Sequence, residues 1–287
     1  MQNTTVSTGG AFCFWTCATW SDQKKLQTLF SSLGLGAYAP KPMAVNVVLR
    51  EALEKVLGRK TENAWTDKDV LIRPMANANS FCVMEEHKGK TENEYKQTLM
   101  CKIDTNTLKI SFAPLDDRAA AVVSEFNEHR GYVSGSLVGS SLVALVKKMN
   151  GTTIRQTGGL YWLPSTHAAE WKSIGDAVEA CSVYGTSRVY LASMEVNAES
   201  IRVVRDAIKA EILRESERLL DEIATGELGD KAIASRKEYL EQLEAKVKEY
   251  EGIVGESLVD LRDALSKCAT AIGMAAFQAA LPEGACV

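Results

Sequence analysis

The side chains able to do chemistry in this chain are few and poorly spaced for it. Only three histidines occur in 287 residues, and no His-Glu-x-x-His helix signature is present, so a histidine-built metal site is not expected. His167 and Glu170 lie three apart near a helix start and read as a surface pair rather than two ligands. Glu85, Glu86 and His87 end a strand-like run, where successive side chains point to opposite faces, and read as a solvated strand edge. Cys13 and Cys17 fall about 13 Å apart along a strand, too far to chelate one ion, and read as small buried hydrophobes. A cysteine nucleophile served by one of the histidines has no sequence signature here. The segment Gly135–Ser141 (GSLVGSS) has the glycines and serines of a phosphate loop but lacks its lysine, so it reads as a helix of small residues. No catalytic, cofactor-binding or metal-ligating residue is assigned and no cofactor is expected. The balance favours a non-enzymatic protein, leaving open a pocket where Cys, His and carboxylate converge without a linear motif.

Composition sets the frame for the elements that must position any site. The apolar fraction of 46% and charged fraction of 24% are those of a globular protein able to bury a core. The net charge is −4, and the stretch Glu199–Lys267 carries 17 acidic against 12 basic residues. An acidic arm of that kind repels phosphate backbones. Seven cysteines, an odd number without a CxxC pair, suit reduced thiols in the cytoplasm better than a disulfide framework. Cys286 is expected to be exposed. The polar start MQNTTVSTGG does not read as a signal peptide, and the longest apolar stretches are too short to span a bilayer, so no membrane partner is expected.

The fold class expected is α+β: an antiparallel sheet with packed helices, followed by a long coiled-coil-like helical hairpin. Three divisions are expected, an α+β part over 1–115, helices plus a hairpin over 116–197, and the helical tail over 198–287. Ala11–Trp20 reads as a buried strand, with Ser21-Asp22 capping the next helix. Met43–Leu57 reads as a helix. Val70–Met75, Ser80–Glu86, Tyr95–Ile103 and Thr107–Ala113 read as strands, the last two joined by a turn at Asp104–Thr107. Asp116–Arg130 and Ser136–Met149 read as helices, Thr152–Pro164 as a hairpin with Gly158-Gly159 at its tip, and Thr166–Ala180 as a helix. Ser187–Val196 reads as a strand.

In the tail, Ile201, Val204, Ile208, Ile212, Leu219 and Ile223 form one straight apolar stripe, closed by Gly226 and Gly229. A second helix carries a heptad-like seam from Leu240 to Ile272 with a four-residue insertion at Val254–Leu258. Gly252 and Gly255 sit at that insertion and predict a kink or break. A continuous second arm would span about 75 Å against about 43 Å for the first. Ser257–Leu281 is then left over, apolar and rich in small residues, either to bind a partner or to pack back on the body. The partner reading assigns Leu258, Leu261, Leu265, Ile272 and Phe277 to an oligomer or partner interface. It expects a chain truncated at Gly252 to become a smaller species.

The alternative is a nucleic-acid-binding accessory protein built on a winged-helix-like order of two helices and a hairpin over 136–164. Lys147, Lys148 and Arg155 would meet phosphates, and Tyr161 and Trp162 would stack on bases. The competing reading puts the aromatics in the core and the lysines at a helix C-terminus.

The block GLGAYAPKPMAVNVVLREAL (Gly34–Leu53), the later IRQTGGLYWLP (Ile154–Pro164) and the helical tail resemble an uncharacterised family of phage- and plasmid-borne hypothetical proteins. The resemblance implies a mobile-element setting, in counter-defence, replication or assembly, and no functional residues. The expectation is therefore a cytoplasmic protein of a host cell that forms a homo-oligomer or binds a host or phage protein through its C-terminal helices.

Overall fold

The computed structural model describes residues 9–58, 68–76, 79–88, 92–155, 159–225 and 228–280; Gly158, Gly226 and Cys286 lie outside these. In chain order the elements are β1 (Gly10–Thr16), β2 (Trp20–Asp22), α1 (Gln23–Ser32), α2 (Val45–Leu57), β3 (Lys68–Pro74), β4 (Ser80–Lys88), β5 (Asn93–Ile103), β6 (Ile110–Ala113), α3 (Ala119–His129) and β7 (Tyr132–Ser134). Then come α4 (Gly135–Lys148), β8 (Thr152–Thr153), β9 (Tyr161–Pro164), α5 (Ala168–Cys181), β10 (Arg188–Ser193), α6 (Ala198–Ala224), α7 (Asp230–Val254) and α8 (Val259–Ala280). The protein is a mixture of helices and antiparallel sheets that ends in three helices. It divides into two compact units interleaved in sequence.

The first unit takes the chain up to Thr16, Gly139–Glu179 and everything from Ser187. Its sheet has the order β10-β1-β9-β8, all antiparallel. Alternation in β1 sends its side chains two ways. On one face Phe12, opposite Trp162 of β9, joins the core made with α6, α7 and α8. On the other, Trp15 stacks on Tyr161 at 5.0 Å and tilts against Trp171 of α5 at 5.8 Å. Trp162 is wholly buried and meets Tyr250 of α7 edge-on at 5.2 Å. That ring fills the space a side chain at Gly10 would need: a Cβ there would stand 2.2 Å from Trp162 Cζ2 and 2.4 Å from the Leu163 carbonyl oxygen. Because one of these atoms is backbone, Gly10→Ala is expected to cost about 1–3 kcal/mol through overpacking. A urea midpoint equal to the parent's would contradict this.

The sequence expects two long arms in the tail, and the structure has three helices. The second arm breaks at Gly255, whose φ of 75° is the left-handed conformation that caps helix C-termini without steric cost. Glu251 then holds the corner. Its Oε1 accepts from the Leu258 amide at 2.7 Å and its other oxygen pairs with Arg262. Those contacts, the amide first, hold its carboxyl below the usual carboxylate range. Of the expected surplus over 257–281, Val259–Ala280 therefore folds back as α8. Leu258, Leu261, Leu265, Cys268 and Ile272 share one core with Val204, Ile208, Ile212, Leu243 and Val247. At the other end Asn197 and Ser200 form a reciprocal capping box that starts α6.

The second unit covers Cys17–Val138 and Ala180–Thr186. Strands β3-β4-β5-β6 form the expected meander, and Asp104 closes its last turn by accepting from the amides of Asn106 and Thr107. Val48, Leu49 and Leu53 of α2 and Val122 and Phe126 of α3 bury one face of that meander, against Phe81, Val83, Leu99 and Ile103. A short β2–β7 ladder completes the unit. Asp22 caps α1 as its sequence position implies, accepting from the Lys25 amide at 2.9 Å.

Candidate interaction surface

The three-helix bundle is locked to its sheet along the middle of α6 and α7. Lys246 of α7 is 5% exposed and donates to the Gly151 carbonyl at 2.7 Å and to Glu211 Oε1 of α6 at 2.6 Å. The second Glu211 oxygen accepts from Thr152 Oγ1 of β8 at 2.5 Å. One turn on, Tyr250 donates to the Asn150 backbone carbonyl at 2.8 Å, and the Asn150 side-chain Nδ2 donates to Glu249 Oε2 at 2.7 Å. Burial pulls the Lys246 ammonium below its ordinary value, and the Glu211 carboxylate opposes that pull. Such a network fixes helices in register. Its lysine is held by two acceptors.

The far end of the bundle is different. The last turns of α6 and the last three turns of α8 leave an open groove of about 840 Å³ between them, lined by Leu220, Ile223, Leu228, Ala271, Met274 and Ala275 among others. The core closes at Leu219, Cys268 and Ile272. Beyond it α8 presents Met274 at 61% and Phe277 at 67% exposure, one turn apart on the same helix. No charged residue occurs from Cys268 to Ala280. Exposed large apolar side chains grouped beside an apolar groove mark interaction sites more often than scattered ones do.

Of the five residues the sequence assigns to a partner interface, the structure puts Leu258, Leu261, Leu265 and Ile272 in the bundle's own core and leaves Phe277 on its surface. The reason is the Gly255 break, which turns the seam inward. Leu220, Ile223 and Met274 line the groove at the end of the bundle where Phe277 is exposed. The repeated small residues around Met274 in the sequence marked this stretch, but not which of its faces stays open.

The residues of the nucleic-acid reading are dispersed in role. Trp162 lies in the core and cannot stack on a base. Tyr161 spends one ring face on Trp15. Lys147 and Lys148 end α4, with Lys148 3.8 Å from Glu170, and Arg155 follows β8. The remaining chemical candidates are also quiet. His167 lies 3.4 Å from Glu170 as a half-exposed pair, and His87 lies 3.6 Å from Glu85. Burial pushes the thiols of Cys13 and Cys101 up to about 12 and that of Cys17 to about 11, which suppresses the nucleophilic thiolate. Among the described residues, no helix is long and apolar enough to cross a membrane. The one group of histidine and acidic side chains there with metal-ligand spacing is Glu125, Glu128 and His129 of the second unit. The sequence reading passed over it although Glu-x-x-Glu-His on a helix was visible.

Comparison with known proteins adds the family. No curated protein and no solved structure matches the chain. The profile of a family of unknown function, DUF6744, matches residues 10–280. Those limits coincide with the first residue of β1 and the last of α8, so the match takes in both units. The protein belongs to the DUF6744 family.

Proposed function

We propose that this protein is a non-enzymatic assembly protein whose chains associate through the open end of the α6–α8 bundle, the partner being a second copy. The observation that carries the reading is the pair Met274 and Phe277, both mostly exposed beside a groove of apolar residues. Knob and groove lie on one end of one bundle. A twofold axis can therefore seat each copy's Phe277 in the other's groove, the self-complementary arrangement of an isologous dimer. Charge supports the same end. The stretch Glu199–Lys267 carries a net −5, which repels a second copy along most of the bundle, while Cys268–Ala280 carries no charge. A phage or plasmid setting rests on the family resemblance alone and fits an assembly or accessory role.

The test is the double variant Met274→Asp/Phe277→Asp, which touches no core residue. It is expected to run as a monomer in light scattering while the parent is a dimer, with the helical signal in far-ultraviolet circular dichroism unchanged. A variant of the parent's mass rules the site out. The nucleic-acid reading predicts low-salt binding lost in Lys147→Glu/Lys148→Glu/Arg155→Glu. It is the weaker reading because Trp162 is core and the bundle is acidic.

A further inference from the structure

The second unit contains a group of side chains that the assembly reading does not use. Helices α2 and α3 pack side by side over the meander, and Lys55 of α2 pairs with Glu125 of α3. One turn before Lys55, Glu51 lies within electrostatic reach of His129, one turn after Glu125. Glu125, Glu128 and His129 stand at i, i+3 and i+4, so they share one side of α3. One potential ligand atom from each lies within 4.8 Å of the others.

The histidine makes this more than an acidic cluster. His129 is 4% exposed. Its Nδ1 is 2.9 Å from the Glu125 carbonyl oxygen, to which it donates, and 2.9 Å from Glu125 Oε1. In the neutral imidazole a proton on Nδ1 leaves Nε2 as a lone pair. Nε2 is buried without a hydrogen-bond partner, and so is Glu51 Oε2. A neutral imidazole nitrogen and a carboxylate oxygen are both acceptors, so neither can satisfy the other. A cation in the seam satisfies both. A metal-binding histidine commonly donates its other nitrogen to a carbonyl or carboxylate, as His129 does here.

We propose that the α2–α3 seam binds one divalent first-row transition cation, with His129, Glu125 and Glu128 as ligands from α3 and Glu51 as the donor from α2. One imidazole nitrogen among carboxylates suits zinc or manganese better than magnesium or calcium. Lys55 is the resident positive charge. Its side chain is 61% exposed, so its ion pair with Glu125 gives way easily to a dication.

The probe is zinc chloride, added to the EDTA-treated full-length protein in equilibrium dialysis with elemental analysis. The parent is expected to retain one zinc per chain in the presence of excess magnesium. Glu128→Gln and Glu51→Gln are expected to weaken binding about tenfold or more, since each removes a donor. Lys55→Gln, which removes a competing cation from an exposed position, is expected to tighten it. Glu128 and Lys55 are surface residues, so these two variants leave the fold intact and circular dichroism verifies it. Retention lost to magnesium, zinc binding equal in parent and both carboxamide variants (as zinc held by cysteines would give), or no retained zinc in the parent, each overturns the site.

Discussion

Lys246→Met is expected to lower the unfolding free energy by about 3–5 kcal/mol, because it strands the Glu211 carboxylate in the bundle without its cation. Glu211 keeps Thr152 as a donor but loses the 2.6 Å ammonium contact, and the Gly151 carbonyl loses its 2.7 Å donor. The double variant Lys246→Met/Glu211→Leu removes both charges together and is expected to recover much of that loss, since apolar replacement of a buried ion pair is often near neutral. Chemical denaturation of the four proteins of this cycle yields the coupling directly. Additive losses would mean that the pair does not act as a unit.

A chain ending at Gly252 is expected to lose the cooperative unfolding of the first unit altogether. From sequence the same truncation was expected to give a smaller species by removing an oligomer interface. The structure changes that expectation, since Leu258, Leu261, Leu265, Cys268 and Ile272 leave the core with the segment. Each of the three leucines and the isoleucine represents about 1.5–3 kcal/mol of burial, and together they rival the whole stability of a domain. Near-ultraviolet circular dichroism with a thermal scan checks it. A sharp transition retained in the truncated protein would show that α8 is dispensable.

The contrast between these two variants shows what the sequence could and could not say. The meander over 68–113 was legible because short loops and a turn at Asp104 leave antiparallel pairing as the natural course. The stripe of α6 was legible from its 3.6-residue period. Gly255 marked a break, but the reversal that buries Leu258–Ile272 depends on Glu251 reaching the Leu258 amide, a contact no periodicity encodes. Strand β1 pairs with Tyr161–Pro164 and Arg188–Ser193, far along the chain, so its central place in a sheet was out of reach. Lys246 looked like any solvent-facing charge beside the seam residues Leu243 and Val247. Its burial is set by β8, brought in by that same long-range pairing. For the candidate surface, Phe277, one of the five residues the sequence assigns to an interface, is exposed on α8. The four other residues are buried in the chain's own core, which the sequence does not reveal, since a heptad seam reads identically whether its partner lies in the same chain or another.

Self-association through the open end of α6–α8 is tested most directly by the mass of the untouched protein. Multi-angle light scattering across a dilution series from about 100 µM downward should give twice the chain mass of 31.3 kDa at the top of the range. It should fall toward one chain mass on dilution, as expected for an interface of modest size. A constant 31.3 kDa at every concentration would rule out the dimer.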